Sequence, residues 1–164
     1  MNLKKRSQLI HSTSINEGRE KPETLSADYI VGLTDGEGCF YVEARTPIGA
    51  HKTPRVELHF FIKLREDELF LLKKVKKFFG CGGIYRQKEY RANQRNCYRF
   101  GITAQEDLHK KIIPFFDTYI LQSQKLKNYL IFREIALMVK IKAHKSKEGF
   151  EKIQLLKSQM NRAR

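Results

Sequence analysis

The segment that most constrains the fold covers residues 29–40 and reads Tyr-Ile-Val-Gly-Leu-Thr-Asp-Gly-Glu-Gly-Cys-Phe. Its first part has the composition of an apolar helix, yet it contains Gly32 and Gly36. A glycine inside a helix costs about 1 kcal/mol relative to alanine, so two of them need a structural reason. Because residues four apart lie on one helix face, the pair forms a strip without Cβ atoms, and this strip predicts close packing of another helix.

The end of this predicted helix carries acidic residues, each followed by glycine. Asp35 precedes Gly36 and Glu37 precedes Gly38, after which the pattern becomes that of a β-strand. Carboxylate oxygens are the ligands that hard divalent cations prefer. We therefore expect a metal site at the point where this helix ends and meets a strand.

The charge of the chain indicates a polyanionic partner. Its 164 residues include 32 Lys and Arg against 18 Asp and Glu, a net charge of +14. Nucleic acid is the leading candidate for such a basic protein. An anionic membrane is the rival, but no basic amphipathic helix with a dominant apolar face is found. A charge that serves solubility alone is also compatible with the sequence.

The cysteines and the apolar segments of the sequence indicate the compartment in which the protein resides. Cys39, Cys81 and Cys97 lack the spacing of zinc ligands and are expected as reduced thiols. No apolar run approaches the ~18 residues of a membrane span, and no signal-peptide pattern is seen. We expect an intracellular protein; the sequence does not distinguish an organelle from a bacterial cytoplasm.

The periodicity of apolar residues predicts an α+β fold. After the glycine-containing helix, which Ser26 or Thr24 would cap, strands are predicted over residues 39–45, 55–63, 82–89 and 96–103. Further helices are predicted over residues 66–79, 104–116, 124–142 and 146–160. In the third of these, the apolar positions are Leu126, Leu130, Ile131, Ile135, Leu137 and Met138.

Two hairpins of this kind form a four-stranded antiparallel sheet with helices on its apolar face and a bare polar face. The residues predicted on the bare face are Tyr41, Glu43, Arg45, Arg55, Glu57, His59, Phe61, Lys63, Tyr85, Gln87, Cys97 and Arg99. The mixture of charges, amides and aromatic rings suits the reading of a DNA groove. A plain solvated face is the alternative, and the net charge favours DNA.

Residues 30–38 resemble the LAGLIDADG motif of homing endonucleases and intron maturases. The residues that match in register are Gly32, Leu33, Asp35, Gly36 and Gly38, and Glu37 stands at the acidic metal-binding position of the family. Segments 60–72, 75–85 and 113–116 are similar to further family landmarks in the same order. The resemblance therefore extends over most of the chain, and its motifs are specific.

The resemblance implies an αββαββα fold whose saddle-shaped sheet lies in the DNA major groove. It also implies a Mg²⁺ cofactor, held by Glu37 and the carbonyl oxygen of Gly36. Mn²⁺ is expected to replace Mg²⁺, whereas Ca²⁺ would bind without cleavage. Asp35 is expected to be a structural residue of the helix end. Because the chain contains one copy of the motif, a homodimer would bring two Glu37 residues together across Gly32 and Gly36.

Family members also place a basic residue ahead of their long helix. We expect Lys125 to be that catalytic residue, although a solvated lysine at a helix start fits the sequence equally well. Some members carry glutamine after the second strand, where this chain has Leu64, which cannot form a hydrogen bond. Lys63 and Arg65 flank Leu64 and are candidates to replace that glutamine electrostatically.

These observations together predict a site-specific homing endonuclease that makes a Mg²⁺-dependent double-strand break in a long, nearly palindromic DNA site. An intron RNA maturase, a non-cleaving DNA-binding protein with this fold and a basic RNA-associated structural protein are the alternatives. Residues 1–24 are expected to form a flexible N-terminal arm, and residues 25–164 the endonuclease domain.

Overall fold

A computed structural model describes residues 22–47, 53–88 and 96–161. The strands are β1 (Gly38–Arg45), β2 (Arg55–Arg65), β3 (Gly83–Gln87) and β4 (Cys97–Ile102). The helices are α1 (Ala27–Glu37), α2 (Leu69–Phe79), α3 (Gln105–Asp107), α4 (Ile113–Thr118), α5 (Lys125–Lys140) and α6 (Lys147–Ser158). A π-helical turn, Leu108–Ile112, joins α3 to α4.

The four strands form one antiparallel sheet in the order β1-β2-β4-β3. The two inner strands pair with Phe60 opposite Ile102, and the outer pairs place Glu43 opposite Glu57 and Tyr85 opposite Arg99. This arrangement confirms the predicted αββαββα fold, and β2 continues two residues beyond the predicted end, to Arg65. The part of the chain that the structure describes contains no helix long and apolar enough to cross a membrane.

The helices cover one face of the sheet and enclose an aromatic core. Phe40 of β1 lies at its centre, with ring centroids 5.2 Å from Phe60, 5.4 Å from Phe116 and 5.3 Å from both Tyr129 and Phe132. The Tyr129 hydroxyl donates to the carbonyl of Ile113 at 2.9 Å, so its polar end is satisfied inside the core. Burial raises the pKa of this tyrosine.

Local signals in the sequence define three of the helix ends. The Oγ of Ser26 accepts a hydrogen bond from the Tyr29 amide and starts α1, and Ser146 caps α6 in the same way. Gly80 adopts the left-handed conformation with φ 62° and ends α2. The expectation that Ser26 caps the first helix is therefore confirmed.

The predicted helix over residues 124–142 is observed as α5, but not all of its apolar residues are buried. Leu130 and Leu137 are 53% and 41% exposed. The residues of α5 that are buried are Tyr129, Ile131, Phe132, Ile135 and Ala136. Apolar residues occupy more than half of the helix circumference, so periodicity alone did not show which part of that arc faces the sheet.

Candidate active site and nucleic-acid interface

The C-terminal end of α1 is tied to the segment that precedes α5. The Asp35 carboxylate accepts hydrogen bonds from the amide of Gln122 at 2.8 Å, the amide of Ser123 at 3.2 Å and the hydroxyl of Ser123 at 2.6 Å. Both oxygens of Asp35 are thus used in fixing a loop that is distant in sequence. This geometry agrees with a structural role for Asp35 at the helix end.

Lys125, the first residue of α5, binds the same helix end. Its Nζ donates to the carbonyl of Asp35 at 2.7 Å and to the carbonyl of Gly36 at 2.9 Å. The carbonyl of Thr34 is already taken by the Gly38 amide. The ammonium group therefore satisfies two carbonyls that a helix end leaves open, at the negative end of the helix dipole.

Glu37 is the last residue of α1, and its side chain is exposed. It lies at the edge of a pocket formed with the end of β2 and the start of β4, and the other lining residues are Lys63, Leu64, Arg65, Asp67, Glu68 and Cys97. Arg65 is bound by the Asp67 carboxylate, which raises the pKa of its guanidinium group. Lys63 and Arg65 thus line the same pocket as Glu37, and Arg65 is paired with Asp67.

The glycines of the motif differ in what surrounds them. A Cβ added to Gly38 would lie 2.5 Å from the Cγ2 of Thr34 and 2.8 Å from its carbonyl oxygen. Cβ atoms added to Gly32 or Gly36 would meet no atom within 4 Å among the described residues. The fold of the described chain therefore requires Gly38, whereas it gives no steric reason for Gly32 and Gly36.

The sheet face opposite the helices carries every residue that the sequence predicted there. Register pairs place Tyr41 opposite His59, Arg45 opposite Arg55 and Gln87 opposite Cys97. Phe40, Val42 and Leu58, which alternate with these residues, are buried on the helix side. Tyr85 is the most exposed aromatic residue of the face, at 62%.

The arginines of this face are already paired within the chain. Arg45 donates to Glu43 at 2.8 Å, and Arg55 lies 2.6 Å from Glu57. The hydrogen bond from Arg45 lowers the pKa of Glu43 and raises that of Arg45. Arg99 is half-buried and lies over the ring of Phe61, 4.1 Å from the ring centroid.

Glu43, Glu57 and His59 bring ligand atoms within 4.8 Å of one another. This cluster is not the metal site predicted at Glu37. Glu43 is the sixth of the eight residues of β1, whose first residue follows Glu37, and the rise of about 3.4 Å per strand residue places it roughly 17 Å beyond the start of the strand. The two carboxylates of the cluster are moreover neutralised by Arg45 and Arg55.

A sequence profile described as LAGLIDADG endonuclease matches residues 30–136, which is more than half of the chain. The chain belongs to the LAGLIDADG endonuclease family. The matched segment contains most of α1, the four strands and most of α5, so the family match covers the whole sheet and both sides of the Glu37 site.

Several members of the LAGLIDADG family are similar to this chain. A protein of Neurospora crassa named as a probable intron-encoded endonuclease is 34% identical over 133 residues, which are 81% of this chain and 27% of the relative. The crystal structure of the homing endonuclease I-TnaI matches with a TM-score of 0.75 and 30% identity, over 86% of this chain and 91% of the other.

The meganuclease I-SmaMI, bound to uncleaveable DNA, matches with a TM-score of 0.77 and 34% identity, over 86% of this chain and 46% of the other. Another I-SmaMI structure is described as bound to an uncleaved DNA target in the presence of calcium ions. It matches with a TM-score of 0.73 and 26% identity, over 84% of this chain and 45% of the other. This LAGLIDADG chain thus spans about a quarter of the curated Neurospora relative and about half of I-SmaMI.

Sequence reasoning missed two features of this LAGLIDADG site. One is the binding of Asp35 by Gln122 and Ser123, which joins residues 87 and 88 positions apart. The other is the pairing of Glu43 with Arg45 and of Glu57 with Arg55. The second had a visible signal, because residues two apart on a strand point to the same face.

Proposed function

We propose that this chain is a site-specific, Mg²⁺-dependent homing endonuclease that acts as a homodimer on a long, nearly palindromic double-stranded DNA site. The observation that carries the proposal is the position of Glu37. This exposed acid ends α1 directly before β1, at one end of a sheet whose open face carries the arginines and aromatic rings. One chain therefore places the proposed metal-binding acid next to the surface that we propose reads the DNA groove.

The residues at the end of α1 fit a hard divalent cation. Glu37 offers an exposed carboxylate, and the adjacent carbonyl of Gly36 already binds a cationic group, the Lys125 ammonium, at 2.9 Å. Oxygen donors of this kind, with few protein carboxylates, suit Mg²⁺ better than softer metals. We expect Mn²⁺ to replace it and Ca²⁺ to bind without supporting cleavage.

Each residue of the site has a distinct part in this proposal. A bound divalent ion supplies an activated water and neutralises charge on the phosphate. Glu37 and the carbonyl of Gly36 would hold the ion, and Lys125 would supply positive charge beside it. Asp35 fixes the loop from which Lys125 projects, through its hydrogen bonds to Gln122 and Ser123.

The homodimer is supported by the surface of α1. Gly32 and Gly36 are exposed, and Tyr29, on the same side of the helix, is 47% exposed although it is aromatic. A second copy packed on this strip through a two-fold axis would make a contact that is the same on both copies and would bring two Glu37 residues together. The match covers 46% of the I-SmaMI chain, so that chain is long enough to contain a second unit of this size.

The DNA interface is supported by the net charge and by the residues of the bare sheet face. The chain has a net charge of +14, and the bare sheet face presents Arg45, Arg55 and Arg99 together with Tyr85. Arginine bound to guanine is the commonest specific contact in the major groove. The relatives are named as intron-encoded, and we propose that this chain is encoded in the same kind of gene.

The test is a cleavage assay on plasmids that carry the joined DNA flanks of the gene. The wild-type protein should linearise this plasmid with Mg²⁺ and should bind but not cut it with Ca²⁺. Glu37→Gln should abolish cleavage and leave binding within about tenfold, because an amide is a poor Mg²⁺ ligand of similar shape. Glu151→Gln, at an exposed position of α6, is the matched control and should cut normally.

Cleavage by Glu37→Gln at the wild-type rate would show that Glu37 is not the metal ligand. Specific binding of the plasmid without any cleavage by the wild type, with each of Mg²⁺ and Mn²⁺, would favour a DNA-binding protein that has lost its activity.

A further inference from the structure

The Lys125 ammonium occupies the point at the end of α1 where a metal ion is expected. It lies 2.7 Å from the carbonyl oxygen of Asp35 and 2.9 Å from that of Gly36. The second of these oxygens is the one that the proposed metal ion would use. An ammonium group and a divalent cation therefore have a common ligand in this chain.

The two cations cannot use this position together without strong repulsion. Metal–oxygen bonds of Mg²⁺ are about 2.0–2.1 Å long, so an ion bound to Gly36 would lie within a few ångström of the ammonium. Like charges at such a separation repel strongly wherever water is partly excluded. Lys125 is half-buried, so solvent screens it only in part.

Hydrogen bonds fix the backbone around Lys125, whereas its side chain reaches the end of α1 through rotatable bonds. Asp35 fixes the backbone of Gln122 and Ser123, and the Ser123 hydroxyl accepts the amide of Lys125 at 3.2 Å. The first turn of α5 contains no acidic residue. The positive end of the α5 dipole thus repels the ammonium, while the negative end of the α1 dipole attracts it.

We propose that Lys125 is a built-in substitute for the metal ion. In the metal-free protein its ammonium group occupies the carbonyl oxygens at the end of α1, and binding of a divalent ion displaces it. The displaced side chain remains attached to a fixed backbone, and its charge is then available to a phosphate of the bound DNA. This inference rests on the proposed metal site at Glu37 and Gly36.

The test measures binding of Mn²⁺ to the full-length protein without DNA, by the electron paramagnetic resonance signal of the free ion. If the ammonium occupies the carbonyls for about nine tenths of the time, its removal should tighten Mn²⁺ binding about tenfold. Lys125→Met removes the charge and keeps the apolar chain. Lys127→Met is the control, because Lys127 is exposed and lines the same pocket. It reports the general effect of losing one positive charge, which we expect to be less than twofold at an exposed site.

A second variant and a second measurement distinguish the loss of the Lys125 charge from a defect in folding. Lys125→Gln retains a hydrogen-bond donor for the carbonyls without the charge, and it should also bind Mn²⁺ more tightly than the wild type. Without metal, Lys125→Met should melt at a lower temperature than the wild type, and saturating Mn²⁺ should raise its Tm by more than it raises that of the wild type. Cleavage is not needed for either measurement.

The outcomes separate the two proposals. Mn²⁺ binding that is tighter in Lys125→Met and Lys125→Gln than in Lys127→Met supports the substitute role. Binding that is unchanged or weaker in both Lys125 variants, while Glu37→Gln also weakens it, overturns this inference and leaves the metal site intact. Binding that Glu37→Gln does not affect overturns the metal site and the inference with it.

Discussion

Thr34 and Gly38 are in such close contact that no side chain fits between them. A Cβ at position 38 would lie 2.5 Å from the Cγ2 of Thr34 and 2.9 Å from its Cα. Thr34 is fully buried, so the helix is unable to move outward at this point without opening the core. The contact fixes the angle at which α1 passes into β1, and it thereby sets the position of Glu37.

Gly38→Ala should therefore destabilise the protein, by about 1–3 kcal/mol, which is typical of an overpacked site. Gly32→Ala offers a control on the same helix, since its new Cβ meets no atom of the described chain within 4 Å. At protein concentrations too low for association, Gly32→Ala should be neutral or more stable by up to about 1 kcal/mol, through helix propensity. Urea denaturation measures both free energies of unfolding, and equal losses would contradict the difference described between these glycines.

Gly36→Leu should prevent dimer formation. The substitution places a large side chain on the exposed strip of α1, where we propose that the second copy packs most closely. Overpacking of this kind costs several kcal/mol of interface stability when it occurs on both copies. Sedimentation velocity should show a dimer for the wild type and a monomer for the variant. A wild-type monomer that still cuts both DNA strands would contradict the dimer.

Asp35→Ala should release the segment before α5 from the end of α1. The change removes the acceptor of three hydrogen bonds, from two amides and the Ser123 hydroxyl. Since the site is half-buried and hydrogen bonds to a charged group are stronger than average, the expected loss is about 1–2 kcal/mol of stability. Hydrogen exchange should become faster at the amides of Gln122 and Ser123. Asp35→Asn, which keeps an acceptor oxygen, should recover part of the protection.

Arg55→Ala should relax base preference at a few positions of the DNA site. Arg55 is exposed on the bare sheet face, where arginine reads guanine at a gain of about 1–3 kcal/mol over the wrong base. Lys152→Ala is the control, because Lys152 pairs with Glu134 between α6 and α5, in the helical layer. Cleavage profiles over a library of single-base variants measure the effect. A uniform loss of affinity with unchanged preferences would contradict the assignment of the face.

Stability should fall as the pH is lowered below about 6.5, in part because of His109. Burial, with a smaller effect from Lys140, lowers the pKa of this histidine from its usual 6.5. The unfolded chain therefore takes up a proton at a higher pH than the folded chain, and each step down in pH between the two pKa values favours unfolding. Thermal unfolding between pH 7.5 and 5 should show the loss, and His109→Gln should flatten the profile. A parallel profile for the variant would rule out His109 as a source.

The sequence predicted the strands and their faces well, because side chains alternate with a period of two and an error of one residue would expose Phe40 and Phe60. It did not predict the buried arc of α5, where Leu130 and Leu137 are exposed, because that arc depends on which residues of the sheet lie beneath it. The contact of Lys125 with Gly36 joins residues 89 positions apart. Periodicity carries no information on such a contact, so only the resemblance pointed to Lys125.

Glu43 and Glu57, which pair with Arg45 and Arg55, change the free energy with which these arginines bind a polyanion. A lysine or arginine that meets DNA from open solution displaces condensed ions from the phosphates, and the entropy of these ions favours binding to any sequence. Arg45 and Arg55 instead carry Glu43 and Glu57 as counterions of their own. If these arginines contact DNA as proposed, each would exchange its carboxylate for a group of the DNA, and the exchange would be favourable only where a base edge accepts the hydrogen bonds that the carboxylate accepted. On the proposed DNA interface, Arg45 and Arg55 should therefore add less to sequence-independent binding than two arginines without such partners, and wrong sequences should dissociate faster.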